Sequence, residues 1–219
     1  MRLIKSFIEF LNMTDLPLRA IEDAGRTCYK SEDKARPDSA EMFVRMLIER
    51  KHLAMIEHAS ASYRVICDRG VTYEIVRHRL FSYAQESTRY CNYKGGVTYI
   101  IPPWLNLEEG EYYIYDGECR CNEIKFKPLV DSESWLDSLY RAECTYSHLI
   151  NRTAWTPQQA RGVLPNALKT EIVITGNLRE WLHFFELRCA PTAHPQMQEV
   201  ANMILQDIRT RISVIFDKL

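Results

Sequence analysis

Thirteen residues, Arg77-His78-Arg79-Leu80-Phe81-Ser82-Tyr83-Ala84-Gln85-Glu86-Ser87-Thr88-Arg89, constrain this chain more than any other stretch. Three ionisable side chains come first. The preceding run, Val71-Thr72-Tyr73-Glu74-Ile75-Val76, has apolar residues at 71, 75 and 76, the spacing of a short helix with one buried face. The Arg-His-Arg triplet therefore falls near a helix C-terminus, where cations complement the dipole. If the chain then runs extended, Gln85, Ser87 and Arg89 point the same way, because side chains alternate along a strand. That row offers an amide, a hydroxyl and a guanidinium to one ligand, and guanidinium pairs bidentately with phosphate. Taken alone, the triplet fits a solvated helix end better than a ligand site.

The remainder of the chain narrows the classes. At 219 residues it suits one domain, 1–219, with a substantial core. Lys plus Arg (28) nearly balances Asp plus Glu (29), so no global field recruits nucleic acid or a membrane, and any anion site is local. No apolar run approaches the ~20 residues that span a bilayer, and the first residues do not read as a secretory signal. Seven cysteines without a small-domain spacing point to reduced thiols and a cytoplasmic setting.

Along the chain, residues 3–10 suggest a first strand, and Leu18, Ile21 and Ala24 a helix with Pro17 in its first turn. Asp38 or Ser39 suits the cap of a second helix burying Phe43, Met46 and Leu47. Ser60 to Cys67 and Val97 to Ile101 read as strands. Asp116-Gly117 centres a predicted β-hairpin over 112–126. Its Cys119-x-Cys121 pair lacks the partners of a zinc site, so no metal is expected. Trp135, Leu139, Ala142, Tyr146 and Leu149 trace a long helix. Thr156-Pro157-Gln158-Gln159 is a capping box that starts another, carrying Arg161. Ile172-Val173-Ile174 reads as a buried strand. Asn177, with Glu180 three residues on, caps a helix that buries Leu178, Trp181, Leu182 and Phe185 and leaves Arg179 and His183 together outside. Apolar residues from Met197 to Ile215 trace a closing helix.

Arg-His-Arg, seven residues, Ser, one residue, Arg resembles the signature of the flavin-dependent thymidylate synthases. Two further blocks lie in the family's order. His52-Leu53-Ala54-Met55-Ile56-Glu57-His58 is similar to its upstream His-x4-Glu-His element. Ala160-Arg161-Gly162-Val163-Leu164-Pro165, Asn177-Leu178-Arg179 and Leu187-Arg188 are similar to its downstream half. The resemblance runs from about residue 24 to about residue 200 and is weak in the middle, where the hairpin looks like an insertion.

The resemblance implies an α/β fold with a helix-flanked sheet, and conversion of dUMP to dTMP. Methylenetetrahydrofolate is the implied carbon donor, and FAD reduced by NADPH the implied hydride source. It also implies a homotetramer that shares sites between subunits. By family position, Arg77, His78, Arg79, Gln85, Asn177, Arg179 and His183 hold FAD. Glu74, Arg77, Gln85, Glu86, Ser87, Arg89, Arg161 and Arg188 serve dUMP. His52 lies near flavin and folate. Arg188 is the implied electrostatic catalyst, stabilising negative charge as the pyrimidine C5 becomes nucleophilic. Glu74, Gln85, Glu86 and His183 depart from the residues usual in the family, and His194 is not carried over. No cysteine lies between Arg77 and Arg89, although Cys189, beside Arg188, is the thiol best placed for a lowered pKa. A non-catalytic nucleotide- or RNA-binding module using the same arginines is the competing reading. A zinc-binding adaptor is a third.

Overall fold

The computed structural model describes residues 1–112 and 131–219. In chain order the elements are β1 (Arg2–Ile4), β2 (Phe7–Met13), α1 (Pro17–Tyr29), α2 (Ser39–Glu49), β3 (Ser60–Asp68), α3 (Arg69–Ile75) and β4 (Ser82–Gln85). There follow β5 (Thr98–Ile100), β6 (Gly110–Glu111), α4 (Asp131–Arg152), α5 (Pro157–Ala160), β7 (Lys169–Asn177), α6 (Leu178–Arg188), α7 (Pro195–Arg211) and α8 (Ser213–Phe216). The mixture is α/β, as expected. The chain passes repeatedly between two compact units, one of Met1–Ser6, Cys67–Gly70 and Glu86–Thr170, the other of Phe7–Ile66, Val71–Gln85 and Glu171–Leu219.

The first unit is built on a three-stranded sheet ordered β5-β1-β6, with β1 parallel to β5 and antiparallel to β6. Leu3, Val97, Tyr99, Ile101, Leu139 and Leu168 form its apolar centre. The buried Tyr99 hydroxyl donates to the Leu139 carbonyl at 3.1 Å, which ties the sheet to α4. The N-terminal ammonium pairs with Glu143 of the same helix at 3.1 Å.

The second unit holds most of a four-stranded sheet ordered β2-β3-β7-β4. In β7 the side chains from Lys169 to Asn177 alternate between half-buried and buried, so Ile172 and Ile174 enter the core while Val173 does not. An aromatic chain fills that core. Tyr63, Phe81, Phe184 and Phe185 each lie within 5.7 Å of the Trp181 ring, centroid to centroid. The Trp181 indole donates to the Ala61 carbonyl, so its polar atom is not stranded. A buried carboxylate, Glu22, is neutralised by Arg26 at 2.6 Å and accepts from the Ser39 hydroxyl at 2.6 Å, joining α1 to α2.

Several local expectations change. Residues 3–10 form two strands, because the chain leaves one sheet after Ile4 and enters the other at Phe7. Asp38 stands at the cap of α2 but its side chain makes no cap bond, the Ser39 hydroxyl binds Glu22, and Val44 rather than Met46 shares the buried face with Leu47. Val76 is exposed, since α3 ends one residue earlier. α5 is a single turn that stops before Arg161, which opens a short 3₁₀ turn. The closing helix breaks at Ile212, whose backbone leaves the helical range before α8. The predicted 112–126 hairpin lies outside the described residues beyond Tyr112, as do Cys119 and Cys121. Among the described residues no helix is long and apolar enough to cross a membrane, and no cluster suits a metal ion.

Gly176 is demanded by a close approach. A Cβ built there would lie 1.9 Å from the Phe81 ring, which lies over β7 and anchors the segment after Arg79. Gly176→Ala is therefore expected to cost at least 1–3 kcal/mol, about the usual cost of overpacking a core. Chemical denaturation checks this, with Gly95→Ala, which meets nothing within 4 Å, as the neutral control.

Candidate functional site

The residues singled out by the sequence divide between the two units. His52, Glu74, Arg77, His78, Arg79, Gln85, Asn177, Arg179, His183 and Arg188 belong to the second, and Glu86, Ser87, Arg89 and Arg161 to the first.

In the second unit, α3 ends in a tight turn that carries the Arg-His-Arg triplet. The amide of His78 donates to the Ile75 carbonyl, and the amide of Phe81 to the His78 carbonyl. Tyr83 of β4 sits over this turn. Its hydroxyl lies 2.7 Å from the Ile75 carbonyl oxygen and 2.6 Å from that of His78. Burial, helped by Glu180, pushes the Tyr83 pKa upward, so the hydroxyl keeps the proton it donates. The three triplet side chains then take different directions. Arg77 and Arg79 are exposed, and neither guanidinium has a side-chain partner among the described residues. His78 turns inward and is 5 % exposed, against Phe81 and Phe184.

Arg188, in the last turn of α6, meets the buried histidine. Its Nε donates to His78 Nε2 at 3.0 Å, one terminal nitrogen donates to the Glu74 carboxylate at 2.8 Å, and the other to the Glu74 carbonyl at 3.2 Å. The guanidinium is thus held through all three nitrogens, yet each terminal nitrogen has a second N–H to offer. The Glu74 carboxylate is thus the counter-ion of Arg188. Desolvation lowers the His78 pKa to about 4, with the charges of Arg188 and His183 acting in the same direction. The imidazole is therefore neutral near pH 7.

On α6, the Asn177 side chain caps the helix by accepting from the Glu180 amide at 2.8 Å, as expected. Arg179 and His183 are exposed on one face, and Arg179 pairs with Glu57. His52 is exposed immediately before the 3₁₀ turn Leu53–His58. The Gln85 amide donates to the Thr72 hydroxyl at 3.0 Å, tying β4 to α3.

In the first unit, the chain beyond Gln85 does not stay extended. The amides of Tyr90 and Cys91 both donate to the Ser87 carbonyl, closing a turn. The expected row of Gln85, Ser87 and Arg89 on one strand face is therefore not formed. The Ser87 hydroxyl accepts from the Arg89 amide at 3.3 Å, within this turn. Arg89 Nε donates to Gln158 of α5 at 3.1 Å, and Arg161 donates to the buried Thr88 hydroxyl at 3.3 Å. One guanidinium thus reaches from the turn to α5, and the other reaches back from beyond α5 to the turn. Glu86 accepts from Tyr93 at 2.9 Å and pairs with Lys169 at 3.2 Å, which neutralises it. The capping-box sequence fulfils its expectation, with the Thr156 amide donating to the Gln159 side chain at 2.9 Å.

The suspected thiol, Cys189, is not activated. Burial raises the Cys189 pKa, and burial with the nearby Glu86 carboxylate raises that of Cys91. The sequence reading missed Thr88, Tyr83, Gln158, Lys169 and Glu180. Gln158 and Glu180 stand in recognisable capping positions, but their later partners carry no local pattern.

A family model described as thymidylate synthase complementing protein (Thy1) matches residues 9–212. The chain is 32% identical over 199 residues to a flavin-dependent thymidylate synthase of Corynebacterium efficiens, covering 90% of this chain and 77% of that protein. It is 33% identical over 219 residues to the like-named protein of Mycobacterium marinum, covering 95% of this chain and 85% of the relative. A solved structure of similar fold is the UMP/dUMP methylase PolB from Streptomyces cacaoi bound with 5-Br dUMP. The TM-score is 0.76 at 23% identity, with 99% of this chain and 96% of that one covered.

The neutral state of His78 has a consequence for stability. Its folded pKa, about 4, lies below the ordinary 6.5. As pH falls between these values the unfolded chain takes up a proton that the folded one refuses, so stability is lost on acidification. The full effect is on the order of 3 kcal/mol. Burial raises the Glu180 carboxyl, which acts in the opposite sense. Wild type and His78→Gln are therefore compared by urea unfolding from pH 7 to pH 4, and the variant is expected to show the shallower acid decline.

Proposed function

We propose a division of labour for a chain that belongs to the thymidylate synthase complementing protein family, the flavin-dependent thymidylate synthases. The reaction is the reductive methylation of dUMP to dTMP. Its carbon donor is methylenetetrahydrofolate, and its cofactor is FAD, reduced by NADPH. The observation that most supports this reading is the family match across residues 9–212. The alternative, a nucleotide- or RNA-binding module, uses the same arginines but has no need of a guanidinium braced on three sides, as Arg188 is.

The chain's residues fit a flavin dinucleotide. Arg77 and Arg79 are exposed cations with no side-chain partner among the described residues, which suits a pyrophosphate. Arg179 and His183 extend the same polar set along α6. Asn177 uses its carbonyl oxygen for the helix cap and keeps its amide N–H groups to donate. Bound FAD supplies the hydride that reduces the transferred carbon to a methyl group.

For the nucleotide, Arg89 and Arg161 provide the charge that a phosphate dianion needs, and Ser87 provides a hydroxyl donor. Gln158 and Thr88 hold the two guanidinium groups, so little side-chain freedom remains to be lost on binding. Glu86 and Glu74 do not repel the phosphate, because Lys169 and Arg188 neutralise them. Gln85 supports the nucleotide from the end of β4. Arg188 directs its unused N–H groups to the pyrimidine edge and stabilises negative charge there while C5 attacks the incoming carbon. His52 stands toward the flavin and folate. The subunits assemble as a homotetramer whose sites draw on more than one copy.

The decisive experiment is to purify the protein, record its flavin absorbance, and assay dTMP formation from dUMP, methylenetetrahydrofolate and NADPH. A colourless protein that binds nucleotide or RNA without turnover would establish the binding-module reading. Arg89→Ala is expected to weaken dUMP about ten- to a hundredfold and leave FAD nearly unchanged, the usual effect of losing one charge-assisted hydrogen bond. Equal weakening of both ligands by isothermal titration would move Arg89 out of the nucleotide site. Shared sites are tested by mixing inactive Arg77→Ala and Arg188→Ala subunits under exchange. Partial activity is expected to return, and its complete absence counts against sharing.

A further inference from the structure

Glu180 is an anomaly in α6. It occupies the third position of the helix, where a glutamate ordinarily faces water, yet it is 5 % exposed. A buried carboxylate is costly unless something binds it. Among the described residues no lysine or arginine pairs with it. Its oxygen instead lies 3.5 Å from His78 Nδ1, at the outer limit of a hydrogen bond.

The arginine on the other side of that histidine dictates what this contact is. Arg188 Nε–H can only donate, and it points at His78 Nε2 at 3.0 Å. Nε2 must therefore present a lone pair. A neutral imidazole has one N–H, so the proton resides on Nδ1, the nitrogen facing Glu180. We propose that Glu180 is a positioning residue: it holds His78 as the Nδ1–H tautomer, and His78 in turn aims the guanidinium of Arg188. With the opposite tautomer, two N–H groups would confront each other across 3.0 Å and Arg188 would turn away. The order of groups is Glu180, His78, Arg188, Glu74, with an acceptor at each end and the cation between His78 and Glu74.

The groups facing His78 agree with this assignment. From α6 come Glu180, Arg188 and His183, whose ring centre is 5.8 Å away. From β4 comes Tyr83, whose hydroxyl engages the His78 carbonyl and leaves the ring free. Phe81 and Phe184 complete the wall and bring no acceptor that competes for the Nδ1 proton. Burial, with the Arg188 charge acting in the same direction, keeps the ring neutral near pH 7, so one tautomer suffices there.

The inference rests on Arg188 acting in the reaction proposed above, so the test has one arm independent of turnover. In the flavin-loaded protein labelled with ¹⁵N-histidine, the His78 signal is expected to show a protonated Nδ1 and a bare Nε2 near pH 7. Protonation at Nε2 overturns the proposal, whatever the enzyme's substrate. In the second arm, Glu180→Ala is expected to lower kcat about ten- to a hundredfold, the range seen when a supporting partner of a functional side chain is removed. FAD content and the KM for dUMP should change little. Glu180→Gln, which keeps a carbonyl acceptor for Nδ1–H, should recover most of the loss. Equal losses in both variants, or none in either, refute the assignment. If Glu180→Ala does not fold, the Gln variant and the tautomer measurement still decide it. A wild-type protein with no activity on dUMP defeats the functional reading but leaves the tautomer result standing.

Discussion

The contact between Arg188 and His78 organises the candidate residues of the second unit, because it joins the C-terminal end of α6 to the turn after α3. An arginine at the end of a helix is ordinarily a mobile surface cation with several rotatable bonds to freeze. Here its three nitrogens have partners, so the conformational cost is met in folding rather than on binding substrate. The bracing is possible only because His78 is driven inward. Phe81, two residues past the triplet, packs on Gly176 and Trp181, and Tyr83 grips the turn's carbonyls. Core packing thus decides that the middle residue of Arg77-His78-Arg79 points in while its neighbours point out.

The same logic separates the residues whose positions were legible in the sequence from those that were not. Periodicity and capping act over three or four residues, and they located α1, α4, the Asn177 cap and the Thr156 capping box. Burial along β7 also followed a readable alternation, although the strand is longer than its apolar centre, Ile172-Val173-Ile174, suggested. The misplaced features depend on partners distant in sequence. Nothing local says that Ser39 spends its hydroxyl on Glu22, 17 residues earlier, or that the first apolar run is divided between two sheets. The candidate site residues came from a gapped motif, which names positions without saying which way each side chain turns.

The turn at Ser87 shows why direction matters. On an extended strand, Gln85, Ser87 and Arg89 would have faced a ligand together. The observed turn instead aims Arg89 at Gln158, while Arg161 reaches back to Thr88, so the first unit gathers cations from segments about seventy residues apart. Charge balance is equally selective. Glu74 and Glu86, which depart from the family's usual residues, are each matched to a cation of their own unit, Arg188 and Lys169. An acid among candidate anion-binding cations is tolerable when its charge is already satisfied, and here it also orders the arginine or lysine that satisfies it.

Histidine chemistry explains why this arrangement needs a neutral ring. A protonated His78 would offer N–H groups on both sides and could accept nothing from Arg188, placing two cations in contact inside the protein. Burial prevents this by holding its pKa near 4. The burial that keeps His78 neutral also removes water, so an acceptor for its remaining N–H must come from the protein. Glu180 is the carboxylate facing that nitrogen, and its own burial is the cost of supplying it. A surface histidine could borrow water at either nitrogen and would leave the guanidinium free to wander. Enclosure therefore converts a histidine that could donate or accept at either edge into one with a fixed edge for each task, and that edge sets the direction of Arg188.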